Sequence, residues 1–438
     1  MTRHSNRCLR WATTFMFPFF LNSCADFNAA LRGDPPVIVD PGRKQCTMET
    51  QSACCPSDSG EFKVETLGSR SCGFVFRDGC FGPFTIISDE SQPSRDGSGP
   101  KSLLCKRGKE PELGPRPIPN PNPSPRPEVW FAPNVGSKDL LDLYRKPAAW
   151  EKSRKSIHVI KHYTANLMGP ATCANCGGNF SDAMIVVGAY HMIASWGIEL
   201  AAEVGVLKPE NKICSIADNS QRFVFMDALT KKAAVNGGRL SRISVDESMY
   251  AGIREDVAIP CKITLQQAAK EFINYAGVVN KRWPSVKIGV IEPYPGSLQA
   301  TTANSIKTYL SLVTQAGIKL DHFHLDIDND ALKPGWQQDV GAILEHARKL
   351  RIHTGIIFMA PVASGNKDFT LRLQENVQRY KEFVPLLDHV IFQSWALSLP
   401  LSANNSQVFP DNLPESGPSL TSGLMQGLEF LQPIFQRP

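Results

Sequence analysis

The 438-residue chain lacks a strong excess of charge of either sign, with 47 lysines and arginines against 42 acids. Arg3, Arg7 and Arg10 fall in a segment read below as removed, which leaves 44 against 42. Without a basic field, nucleic acid is not expected as a partner. Beyond the N-terminus there is no apolar run of the about 20 residues that a membrane span needs. No glycine-rich dinucleotide fingerprint or phosphate loop follows the first strand-like run of the long C-terminal part, which argues against nucleotide-binding open sheets. Nor does a second CxxC complete Cys173-Ala-Asn-Cys176 as a zinc site, so a disulfide is the better reading there. Composition is ordinary, 42% hydrophobic and 20% charged, which excludes a mostly disordered or fibrous chain.

What the sequence does have is clustered. Residues 1–23 read as an export signal: basic residues, the apolar stretch WATTFMFPFFL, then small or polar residues before Cys24. Leu21-Asn22-Ser23-Cys24 resembles a bacterial lipobox, so Cys24 is the expected lipidation site. The expected location is the periplasm, outer membrane or cell surface, with membrane attachment through that lipid. Residues 24–43 form a tether. Residues 44–107 hold six cysteines (Cys46, Cys54, Cys55, Cys72, Cys80, Cys105), as in a small disulfide-stapled module. Cys173, Cys176, Cys214 and Cys261 form a second even set, and the pairings stay open. Residues 108–128 carry KEPELGPRPIPNPNPSPRP, an extended and semi-rigid spacer.

From Val129 to the end, eight apolar runs alternate with amphipathic stretches. The runs are VWFAPN, IHVIKHYT, GIELAAEVG, RISVDES, KIGVIEPYP, HFHLDID, TGIIFMAP and HVIFQSWA. Helical spacing marks Leu265–Val279 and Trp336–Leu350. Strict alternation implies parallel strands, and eight repeats imply an α/β fold of the (β/α)8 TIM-barrel type over residues 129–438. The barrel is thus preceded by a small disulfide-rich module and a proline-rich linker. A monomer is expected.

In such a barrel the chemistry sits at the C-terminal strand ends. Acids end four consecutive strands: Glu203, then Asp246-Glu247, then Glu292, then Asp326 and Asp328. In HFHLDID the apolar residues alternate with His324, Asp326 and Asp328, which puts the polar row toward the barrel axis. Carboxylates there cost several kcal/mol unless paired or used. Asp326 is assigned as nucleophile or general base, with Glu292 or Glu247 as general acid. Asp246 and Asp328 would tune those acids or bind sugar hydroxyls. Lys161, Tyr163, His324, Gln393 and Trp395 would position substrate, Asn134 would donate a hydrogen bond, and Glu203 would complete the wall. Tyr250 and Tyr294 add aromatic surface near the strand ends. Glu199, deeper in its strand, reads as the partner of an inward base. A purely structural alternative has Asp328 capping the next loop and Asp326 paired with Lys161.

The strand ends ISVDES, KIGVIEPYPG, HFHLDID and VIFQSWA, with Leu413-Pro414-Glu415 before the last helix, make residues 129–438 similar to bacterial glycoside-hydrolase-type TIM barrels. The resemblance implies cleavage of glycosidic bonds in a poly- or oligosaccharide by two carboxylates, one protonated and one ionised. No cofactor is expected. The chain departs from the clan whose nucleophile is a glutamate ending strand seven, because that strand ends Phe358-Met359-Ala360-Pro361. Two alternatives stand beside this reading. One is a divalent-metal hydrolase or isomerase using His324, Asp326, Asp328 and Glu292 as ligands. The other is a non-catalytic glycan-binding lipoprotein of the cell envelope.

Overall fold

A computed structural model describes five early strands (Val37–Val39, Gln45–Cys46, Glu61–Glu65, Phe84–Asp89 and Leu103–Arg107) and most of residues 126–435. Within that span, residues 135, 169–179, 208–213, 217–220, 256–259, 297–300, 361, 395–396 and 399–409 are not described. The export segment, Cys24, residues 108–125 of the proline-rich spacer, Cys173, Cys176 and Trp395 therefore lie outside the described residues.

The five early strands pair antiparallel, in the spatial order second, first, third, fifth, fourth.

Eight further strands close into a parallel barrel. They are β1 (Glu128–Ala132), β2 (Val159–Tyr163), β3 (Glu199–Gly205), β4 (Leu240–Asp246), β5 (Lys287–Tyr294), β6 (His322–Ile327), β7 (His353–Phe358) and β8 (His389–Gln393). The fold is a TIM barrel. Each strand is followed by helix, the principal ones being α1 (Glu151–Ser156), α2 (Ala189–Ser195), α3 (Gln221–Val235), α4 (Leu265–Arg282), α5 (Ala303–Gln315), α6 (Trp336–Lys349), α7 (Asn366–Tyr380) and α8 (Leu420–Phe435). Pro293 lies inside a strand. β5 continues through it, and the ladder is carried on by the Asp328 amide donating to the Tyr294 carbonyl at 2.9 Å.

The helices start where side chains can satisfy their free amides. Thr264 and Gln267 form a reciprocal cap on α4, and Thr302 with Ser305 does the same on α5. Their buried stripes follow helical spacing: Ala268, Phe272, Tyr275 and Val279 on α4, and Val340, Ile343, Leu344 and Ala347 on α6. Each large apolar side chain so buried contributes about 1.5–3 kcal/mol. Glycine lets α8 approach β8 closely. A Cβ on Gly427 of α8 would lie 2.6 Å from the Phe392 ring of β8.

The described residues divide into two compact units. One comprises Val204–Arg222 and Ser244–Thr354; the other comprises Phe223–Ile243, Gly355–Pro438 and the described part of Gly33–Glu203.

Candidate functional site

In the first unit, the face of each strand is fixed by contacts. His322 on β6 bonds Ser244 on β4 at 2.8 Å, passing over β5. A Cβ on Gly289 of β5 would meet that imidazole at 2.3 Å. Gly289 therefore leaves the space that the ring fills, in the layered manner of alternate barrel strands. His322, His324 and Asp326 share this inner face with Ser244 and Asp246, because side chains alternate along a strand. The opposite face is marked by Tyr294, whose hydroxyl donates to Asp339 of α6 at 2.5 Å. Glu292 has the parity of Tyr294 and is paired in register with Leu325, whereas Ile291 is paired with His324.

This corrects the assignment of Glu292. It does not face the axis but lies between barrel and helices, fully buried. Its Oε1 accepts the Ser248 hydroxyl at 2.8 Å and the Met249 amide at 2.7 Å, and its Oε2 accepts the Tyr250 amide at 3.0 Å. The Ser248 oxygen lies 2.7 Å from the Tyr309 hydroxyl of α5. Burial pushes the Glu292 carboxyl up to about 7, against the pull of its three donors, with a further small push from Asp246.

Asp246, Glu247, Asp326 and Asp328 are all half-buried and so reach solvent. Asp246 stands two residues beyond Ser244, and Asp326 four beyond His322, both on the inner face toward the C-terminal strand ends. Glu247 opens the loop with a left-handed backbone, φ +52°, and lies 3.8 Å from Arg254. Asp328 caps the turn after β6, accepting the Asp330 amide at 3.2 Å. Burial raises the proton affinity of Asp328, and bonds from Asp330 and Ala331 partly oppose that. His324 is fully buried below Asp326, its ring 4.5 Å from that of His322.

Among the described residues no three His, Cys, Asp or Glu side chains converge as a metal site. The set His324, Asp326, Asp328 and Glu292 is not assembled, since Glu292 and the inner row lie on opposite faces of the sheet. Tyr250 and Tyr294 are likewise buried and offer no open aromatic platform. The Tyr250 ring packs against the Arg254 guanidinium at 4.8 Å.

One arrangement was not foreseen. Asp321, just before β6, lies 3.2 Å from His322 Nδ1, and His322 Nε2 meets Ser244. The order acid, imidazole, hydroxyl has the make-up of a nucleophilic triad. Ser244 is fully buried, however, and Asp321 stands at the N-terminal end of the strand, the end that serves stability in this fold. Alternation placed Ser244 inward, but no signal in the sequence paired it with His322.

In the second unit, Lys161 is buried between Glu203 and Gln393. Its Nζ donates to both, at 2.9 Å in the case of Gln393, and Gln393 donates to the Tyr163 hydroxyl at 2.9 Å. These four residues of β2, β3 and β8 come together in this unit, and Glu203 is a carboxylate that pairs with Lys161. Asn134 is bonded within the fold. It is fully buried, its Nδ2 donating to Ser394 at 2.9 Å and its Oδ1 accepting the Gly136 amide at 3.0 Å. Asn412 joins its backbone at 2.7 Å, itself held by Asp139. Deeper in this unit Arg242 bonds Glu199 at 2.6 Å and Glu128 at 3.0 Å, under the Trp130 ring. Glu199 is thus the structural partner of an inward base.

Neither a protein-family model nor a curated protein sequence matches the chain. Solved structures that it resembles include an endo-β1,6-glucanase, 9% identical at a TM-score of 0.43, with 65% of this chain and 72% of that one covered. D-psicose 3-epimerase from Clostridium cellulolyticum H10 is 14% identical at 0.42, covering 71% and 100%. Xylanase B from Clostridium stercorarium F9 is 13% identical at 0.38, covering 68% and 96%. The neighbours are glycoside hydrolases and other TIM-barrel enzymes. Likeness at this level carries no functional argument, because one barrel hosts many reactions.

Proposed function

We propose that the chain hydrolyses glycosidic bonds in a poly- or oligosaccharide, with Asp326 as nucleophile or general base and Asp246 as general acid. The observation that supports this is the Ser244–His322 bond, which fixes the inner faces of β4 and β6. Asp246 and Asp326 then rise from that tier on one side of the sheet, both partly open to solvent. Strands two places apart lie roughly 10 Å from each other at the backbone. Two inward carboxylates on that base suit the separations at which one attacks or activates water while the other protonates the leaving oxygen. Glu247, near Arg254, would orient the Asp246 carboxyl or bind a sugar hydroxyl.

The same reading places the protein outside the cytoplasm, exported by residues 1–23 and anchored at Cys24. The Cys214–Cys261 disulfide is consistent with an oxidising compartment. The test is release of reducing ends from a panel of cell-envelope and plant glycans by the wild type, Asp246→Asn and Asp326→Asn. Loss of release in both variants supports the proposal; full release in both removes it. Binding of a glycan by the wild type with no bond cleaved would also count against it.

A further inference from the structure

The turn after β4 is stitched to β5 twice. Along the strand edge, the Glu247 amide donates to the Ile291 carbonyl at 2.9 Å. From the outer face, the Glu292 carboxylate takes the next three donors in sequence: the Ser248 hydroxyl, the Met249 amide and the Tyr250 amide. Because the Ser248 hydroxyl donates to Glu292, its oxygen accepts from Tyr309, so the chain of bonds runs from α5 through Ser248 to Glu292. Ser248, Met249, Tyr250, Glu292 and Tyr309 are all buried. The two amides are at the start of the short helix Tyr250–Ile253, where they have no partner within the helix. Left-handed backbone at a non-glycine residue such as Glu247 costs on the order of 1 kcal/mol and persists only where its surroundings enforce it. Here the enforcing bonds are those two sets.

We propose that Glu292 is a positioning residue that acts on the site only through this turn, fixing Ser248–Tyr250 from behind and so setting the direction of Asp246 and Glu247. Once ionised, the carboxylate fits the task because each of its oxygens accepts and neither donates. A buried acid that meets only donors needs no cation to be held, and among the described residues no basic side chain hydrogen-bonds to it. This assignment rests on the proposed hydrolysis only where it refers to activity; the fixing of the turn stands or falls separately.

Glu292→Gln keeps one accepting oxygen but turns its NH2 toward the Tyr250 amide, donor against donor. Native-state amide hydrogen exchange of the wild type is expected to show Met249 and Tyr250 among the protected amides. In Glu292→Gln their exchange should rise at least about tenfold, while α4 amides stay at wild-type rates. On a glycan that the wild type cleaves, kcat should fall about 10- to 100-fold, with KM within about twofold, because a misdirected carboxyl weakens the reaction rather than binding. Ser248→Ala, which removes one of the three donors and leaves the two amides paired, should give intermediate values and serves if the glutamine variant does not fold. Unprotected amides in the wild type, or Glu292→Gln with wild-type exchange at residues 249 and 250, would overturn the assignment. Altered exchange with unaltered kcat would overturn it too. If exchange changes as expected but the wild type cleaves no glycan, the hydrolase proposal falls and the fixing of the turn is supported.

Discussion

The carboxylate of Glu292 and the backbone amide of Tyr250 lie 3.0 Å apart on the helix side of β5, with no water-exposed surface on the glutamate. Its proton affinity is raised by burial from an ordinary 4.5 to about 7. Folding therefore binds this proton more tightly than the unfolded chain does. The stability that follows is complete below about pH 4.5 and is lost as pH rises through 7. The expected size is on the order of 3 kcal/mol. Urea midpoints of wild type and Glu292→Gln between pH 4 and 8 check it: the stability difference should shift against the wild type as pH rises. A difference that is flat, or runs the other way, contradicts it.

Gly289 is expected to be intolerant of any side chain. Alanine there brings its Cβ to 2.3 Å from the His322 ring inside a filled barrel. Overpacking of this kind costs about 3 kcal/mol. Adding His322→Ala should relieve the clash, so the two changes would be non-additive by at least about 1 kcal/mol in denaturant unfolding. Simple additivity would mean that the two residues do not share the space.

Arg242 joins Glu199 and Glu128 while nearly buried itself. Removing one partner of a buried pair costs about 3–5 kcal/mol, but both acids are more than a third exposed and water screens part of that. Arg242→Ala should therefore destabilise by about 2 kcal/mol, with the loss little changed between low and moderate salt. A neutral substitution would show that the pairs are incidental.

The Cys214–Cys261 bond spans 47 residues, linking the segments before α3 and α4. Replacing both cysteines with serine should lower stability by about 2–4 kcal/mol, read as a shift in thermal midpoint under non-reducing conditions. Thiol titration of the unfolded wild type without reductant should find neither cysteine free.

The barrel was legible because its signal is repeated. All eight strands start within two residues of the start of their apolar runs, and Leu265 and Trp336 open α4 and α6 as their periodicity indicated. The inner row His324–Asp326 followed from alternation alone. Glu292 was misplaced by the same rule applied halfway: it shares parity with Ile288 and Val290, which face the helices, and an acid at a strand end was allowed to outweigh that. What buries it comfortably is a set of backbone amides in the next loop, and backbone donors leave no mark in a sequence. The partners of Asn134 were hidden for a related reason, since Ser394 and Asn412 lie more than 250 residues away. Lys161 found Glu203 and Gln393 because all three point inward from their strands near the same end.

The initial rate of reducing-end release from a cleaved glycan, compared between wild type and Asp326→Asn at pH 6, tests the proposed hydrolysis most directly. Loss of an essential carboxylate should lower kcat by about 10³-fold, with the fold retained by circular dichroism. A folded Asp326→Asn that releases sugar at the wild-type rate would contradict it.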